Sequence, residues 1–169
     1  VHPLLSNRLY EFTVSQVNEV GEGPASAASL AVWTLGPPTV APQPPTVLDA
    51  AADSCVVEWT EAAMGPHDAP FSGYEVAWRK ARVDAGEEQA MLGALAVPVG
   101  VWQLMVPGLA ADTRYVFFVR AVSSVGKGVW SEASTPRWTL RAPTVSPLAP
   151  TFVSSTTASL TFQWAEPVL

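Results

Sequence analysis

Catalysis and metal binding need groups that converge, and the residues able to supply them are few. Only two histidines are present, His2 and His67, each beside a proline. His67 has a carboxylate next to it, Asp68 in "AMGPHDAPFSG". Neighbours in a loop read as a solvated pair rather than as a general base held by an orienting acid. Cys55 is the single cysteine, so it has no disulfide partner and no companion metal ligands. It reads as a small buried hydrophobe. The acidic run "DAGEEQ", Asp84 to Gln89, lacks the regular oxygen spacing of a calcium loop. Gly126-Lys127-Gly128 has too few glycines, and no helix after it, to cradle a phosphate. No catalytic, cofactor or metal site emerges, and the chain reads as a non-enzyme.

Composition narrows the classes further. Hydrophobic residues make up 49% and charged residues 14% of the 169 positions, enough apolar material for a packed core despite 16 prolines. A net charge of -6 without any basic run argues against a nucleic-acid surface, which needs clustered Lys and Arg to meet phosphate. No apolar stretch is long enough for a membrane-spanning helix. Neither nucleic acid, nor membrane insertion, nor a small-molecule substrate is expected; the partners expected are other proteins.

The organisation is set by an internal repeat. "VNEVGEGPAS", Val17 to Ser26, returns as "VSSVGKGVWS", Val122 to Ser131, and the shift between them is 105 residues. The same shift, without a gap, places Tyr10 on Tyr115, Phe12 on Phe117, Val14 on Val119, Trp33 on Trp138 and Trp59 on Trp164, with 24 identities over the 64 overlapping residues. A tandem array sampled for about one and a half periods follows, its ends falling inside repeats.

Within one period the pattern is that of short strands. "SCVVEW" alternates through Cys55, Val57 and Trp59, and "SLTFQW" through Leu160, Phe162 and Trp164. "GYEVAWRK" alternates through Tyr74, Val76 and Trp78, and "TRYVFFVRAV" through Tyr115, Phe117, Val119 and Ala121. Gly and Pro clusters punctuate these runs, and no convincing 3.6-residue period intervenes. An all-β, antiparallel sandwich is expected.

"GLAADTRYVFFVRAVSSVGKGVWS", Gly108 to Ser131, resembles the E–F corner, F strand and F–G loop of the fibronectin type III domain, and Trp59 and "GYEVAWR" resemble its B and C strands. The resemblance implies an immunoglobulin-like β-sandwich. It divides the chain into the C-terminal half of one domain (1–36), a Pro-rich linker (37–44), a complete domain (45–141), a second linker (142–149) and the N-terminal strands of a third domain (150–169). It makes Trp59, Tyr74, Val76, Leu109, Tyr115, Phe117, Val119 and Trp164 core residues. Tyr115 anchors the corner through its hydroxyl, and the repeated loop's glycines supply positive φ. Arg8 departs from the pattern, standing where the corner threonine, Thr113 in the second unit, is expected. The integrin-binding Arg-Gly-Asp is absent from the F–G loop. "WSEAS", Trp130 to Ser134, resembles the Trp-Ser-x-Trp-Ser of cytokine receptors with Ala133 at the second tryptophan, and Trp130 is expected to pack on Arg120.

Strict alternation also sends Arg114, Val116, Phe118 and Arg120 to the outer face of their strand, beside Ala77 and Arg79. An aromatic residue flanked by arginines on a wet face is typical of interface centres. The expected function is a non-catalytic interaction and spacing module of a large multidomain protein. Missing disulfides, glycosylation sequons and recognition motifs favour a cytoplasmic scaffold, cytoskeletal or axonemal, over the alternatives of a cell-surface adhesion or receptor ectodomain and an accessory domain of a larger enzyme.

Overall fold

The alternating segments become strands because each must bury one side and wet the other. The computed structural model describes residues 3–81 and 90–165; the acidic run Asp84 to Gln89 and His2 lie outside them. Strands β1 (Leu9–Tyr10) and β2 (Val32–Trp33) pair with each other. The middle of the chain forms two antiparallel sheets. One has the order β3 (Thr46–Ala50), β4 (Ser54–Glu58), β7 (Gln103–Pro107). The other has the order β6 (Gly93–Pro98), β5 (Phe71–Lys80), β8 (Arg114–Ser123), β9 (Arg137–Trp138). A last hairpin joins β10 (Thr151–Ser155) to β11 (Leu160–Gln163). The middle unit is an immunoglobulin-like β-sandwich.

Its core lies between the two sheets. Cys55, Val57 and Trp59 from β4 and the residue after it meet Tyr74 and Val76 of β5 and Tyr115, Phe117, Val119 and Ala121 of β8. Tyr74 sits at the centre, tilted against Trp59 at 6.0 Å and edge-on to Trp102 at 5.4 Å between ring centroids. These separations suit aromatic packing. Leu109 closes one end of the core. Burial pushes the Cys55 thiol up from its ordinary value, against the pull of Arg137 and with the help of Asp49, which keeps it an inert packing group.

The corner before β8 is fixed by two hydroxyls. The Ala110 amide donates to Tyr115 Oη at 3.0 Å, while Thr139 Oγ1 accepts from the Thr113 amide and donates to the Ala110 carbonyl. Along the far edge of β8, Ser134 Oγ and Ser131 Oγ accept from the amides of Phe117 and Val119, both at 3.0 Å. The two serines of "WSEAS" therefore do the pairing that a longer final strand would do.

The 105-residue register is repeated bond for bond. The Leu5 amide donates to Tyr10 Oη at 2.9 Å, and Arg8, despite replacing the corner threonine, gives its amide to Thr34 Oγ1 at 3.0 Å. The Phe12 and Val14 amides donate to Ser29 and Ser26. The bridge Val17↔Glu22 matches Val122↔Lys127. Hairpin β10–β11 keeps the partners of β3–β4 and its bulge, with Thr151↔Gln163 and Phe152↔Phe162 against Thr46↔Glu58 and Val47↔Val57. Two expectations are corrected. Trp164 is 69% exposed because no second sheet faces the β10–β11 hairpin among the described residues. In the second copy of the loop neither Gly126 nor Gly128 has positive φ; at Gly128 a Cβ would lie 2.7 Å from Pro38 Cβ, so the requirement there is space.

Trp59 is 3% exposed and its indole N–H has no acceptor among the described residues. Trp59→Ala should cost about 3–5 kcal/mol in denaturant melts, and Trp59→Phe clearly less, since it keeps an aromatic ring and removes an unpaired donor. Tyr115→Phe, which strands the Ala110 amide, should cost about 1–2 kcal/mol with the same denaturant slope.

Candidate protein-interaction face

Strands β5 and β8 pair along their length, setting Glu75 opposite Arg120, Ala77 opposite Phe118 and Arg79 opposite Val116. These six side chains share the sheet face turned away from the core. Arg120 grips Glu75 through Nε at 2.7 Å and Nη2 at 2.5 Å, and Lys127 Nζ reaches the other carboxylate oxygen at 2.9 Å. The Arg120 guanidinium also lies over the Trp130 ring at 4.1 Å, the packing expected from the sequence. Next along the strand pair, Arg79 covers the Phe118 ring at 5.2 Å. Its Nε is buried without a hydrogen-bond partner among the described residues.

The expected exposure of Phe118 and Val116 is corrected. Both stand outside the core cluster, yet each is only 7% exposed, and Ala77 is fully buried. For Phe118 the reason is the Arg79 guanidinium laid over its ring, a cation–π contact that covers it. What the face offers to a partner is therefore a layer of guanidinium groups over aromatic rings, with Arg114 at its margin, half-buried.

The pair His67 and Asp68 also differs from its reading as a solvated couple. The His67 ring stacks on Trp33 at 4.3 Å between centroids and 11° between planes. Asp68 is 5% exposed and accepts bonds from the amides of Thr39 and Gly65. The Gly65 bond is local, but the Thr39 bond and the Trp33 stack come from a distant segment, of which adjacency in sequence carries no sign.

Glu75 gives the face a measurable pH response. Burial works against its charge, but the hydrogen bonds and charges of Lys127 and Arg120 outweigh that and hold its carboxyl below the usual carboxylate range. A depressed folded pKa adds stability that is complete above the unfolded pKa and is lost as the pH falls through the folded one. Glu75→Gln should accordingly lower the Tm near pH 7 and converge with the native chain at pH values below the depressed pKa of the folded carboxyl, where the native side chain is protonated too. Thermal melts across that span check it; an equal loss at every pH would show that the ion pairs are not the cause.

Known proteins share this architecture. The model of the fibronectin type III domain matches residues 40–137. Protein sidekick-1 of Mus musculus is 32% identical over 162 residues, which cover 92% of this chain and 7% of sidekick-1. Contactin-6 of Rattus norvegicus is 29% identical over 120 residues, 70% of this chain and 11% of contactin-6. The chain thus spans a small fraction of the length of these relatives. The crystal structure of the chicken CNTN1 FN1-FN3 domains superposes with a TM-score of 0.53 at 22% identity, covering 82% of this chain and 45% of that one, and shows the shared fold. The relatives overturn the expected cytoplasmic, cytoskeletal or axonemal setting, since sidekick and contactin are cell-surface adhesion proteins. The lack of disulfides that favoured that setting carries no such information when the core alone suffices. With the family model matching more than half of its length, the chain belongs to the fibronectin type III family.

Proposed function

We propose that the chain is a stretch of tandem fibronectin type III modules in a cell-surface protein, where it spaces and presents protein-interaction surfaces without catalysing a reaction. The observation that carries this reading is the reach of the sidekick-1 similarity, which runs over 162 residues and so through both flanking segments and both linkers. The recurrence of the corner, serine and hairpin bonds at a spacing of 105 residues supports one complete repeat between two partial ones. The exposed Phe12, Val14, Phe162 and Trp164 are the apolar sides that complete repeats would cover.

The partner-binding face on this reading is that of Arg79, Arg114 and Arg120 over Ala77, Val116 and Phe118. It is cationic on a chain of net charge -6, which suits an acidic protein surface. A membrane-impermeant, amine-reactive cross-linker applied to living cells tests location and partnership together, because Lys127 reaches Glu75 on this face. Adducts between the parent protein and other proteins are expected. Arg79→Glu with Arg114→Glu should reduce them roughly tenfold or more while leaving the melting temperature within a few degrees. No adduct on intact cells, with adducts appearing after permeabilisation, refutes the cell-surface reading; adducts unaffected by the double charge reversal refute the face.

A further inference from the structure

The linker between the first two units does not run free. Residues 36–39, Gly-Pro-Pro-Thr, enter a slot at one end of the middle sandwich, between the loop 60–70 and the loop 124–130. Gly36 and Pro38 are buried and Pro37 is half-buried. The Gly36 amide donates to the His67 carbonyl at 2.8 Å, and the Ala69 amide returns a bond to the Gly36 carbonyl at 2.8 Å. Asp68 holds the other end: its carboxylate accepts from the Thr39 amide at 3.0 Å, from Thr39 Oγ1 at 2.9 Å and from the Gly65 amide at 2.8 Å. Burial opposes the charge of Asp68, but the bonds from Thr39 and Gly65, with His67 nearby, hold its carboxyl below the ordinary range.

Three glycines make the slot passable. A Cβ on Gly65 would strike Thr39 Oγ1 and approach Asp68 Oδ2 to 2.9 Å. A Cβ on Gly128 would meet Pro38 at 2.7 Å. On Gly36 it would stand 2.9 Å from the Cβ of Asn7, a residue of the preceding unit's corner with φ of 53°. Gly36 is therefore gripped from both sides, by Asn7 before it and by His67 and Ala69 after it. The Trp33–His67 stack adds a second direct contact between the units.

We propose that residues 36–39 form a locking strap, with Asp68 as its latch, that holds the two successive sandwich units at one fixed angle. Proline pairs keep a free linker extended but leave its ends able to swivel. Here the swivel is removed by backbone bonds at Gly36, a buried ring at Pro38 and a carboxylate clasp at Thr39. Conformational entropy opposes such ordering, and the pre-set φ of the two prolines reduces what must be lost. The strap contacts stand on their own; the consequence for successive modules rests on the tandem reading above.

Amide exchange and 15N relaxation of the full chain test the strap. In the native chain the Gly36 and Thr39 amides should exchange roughly a hundredfold more slowly than unprotected amides, and amides of residues 9–34 and of β8 should report one rotational correlation time. Asp68→Ala should return Thr39 to within roughly tenfold of the unprotected rate and split the two correlation times, while Val76 and Val119 keep their protection. Pro38→Gly changes only the strap, so it should give the same result even where Asp68→Ala disturbs the 60–70 loop. Unprotected Gly36 and Thr39 in the native chain, or Pro38→Gly with protection and tumbling unchanged, overturns the proposal. Protected strap amides with residues 9–34 tumbling independently of β8 would overturn the fixed angle while sparing the slot and the tandem reading.

Discussion

The pairing of β5 with β8 is the constraint on which the rest of the middle unit depends. It runs from Lys80↔Tyr115 to Gly73↔Val122, and it makes β8 a strand buried on both sides, with every residue from Tyr115 to Val119 buried. A strand in that position cannot slip by one residue without exchanging Phe117 for Phe118 in the core. The corner hydroxyl of Tyr115 fixes where β8 begins, and the hydroxyls of Ser131 and Ser134 satisfy the edge that the two-residue β9 leaves open. Position of the face, the linker slot and the loop glycines all follow from that register.

Such a frame explains which features were legible in the sequence. The 105-residue shift and the period-2 runs announced the strands, and the inward phase of Cys55, Val57, Trp59, Tyr74 and Val76 matches their burial of 3% exposure or less. What period 2 reports is which side of a strand a residue occupies. It does not report what lies over that side, and so Phe118 and Val116 were placed on the correct face with the wrong accessibility. Over Phe118 the covering group is the Arg79 guanidinium from the neighbouring strand, and an arginine counts as polar in any pattern although it can lie flat on an aromatic ring.

Asp68 and Trp164 were misread for a related reason. Each depends on a segment far away in the chain: Thr39 supplies bonds to the first, and the second faces no sheet among the described residues. Local pattern carries no signal for either. Setting was misread because it was argued from missing features, and a sandwich with a continuous aromatic core has no physical need of the disulfides whose absence was counted.

The strap has a counterpart one period on that differs at two of its four positions. Gly36, wedged between Asn7 and the loop at His67, corresponds to Arg141, and Pro37 to Ala142, while Pro38 and Thr39 recur as Pro143 and Thr144. No side chain fits at the first of these positions when a joint closes in the manner seen between the first two units. Successive joints of one polymer would then differ in bending stiffness, and its persistence length would be governed by the softer kind. On the proposed tandem reading, an array so built would be a run of stiff segments joined by elbows, its reach set by how often the wedged glycine occurs rather than by how many sandwiches it contains.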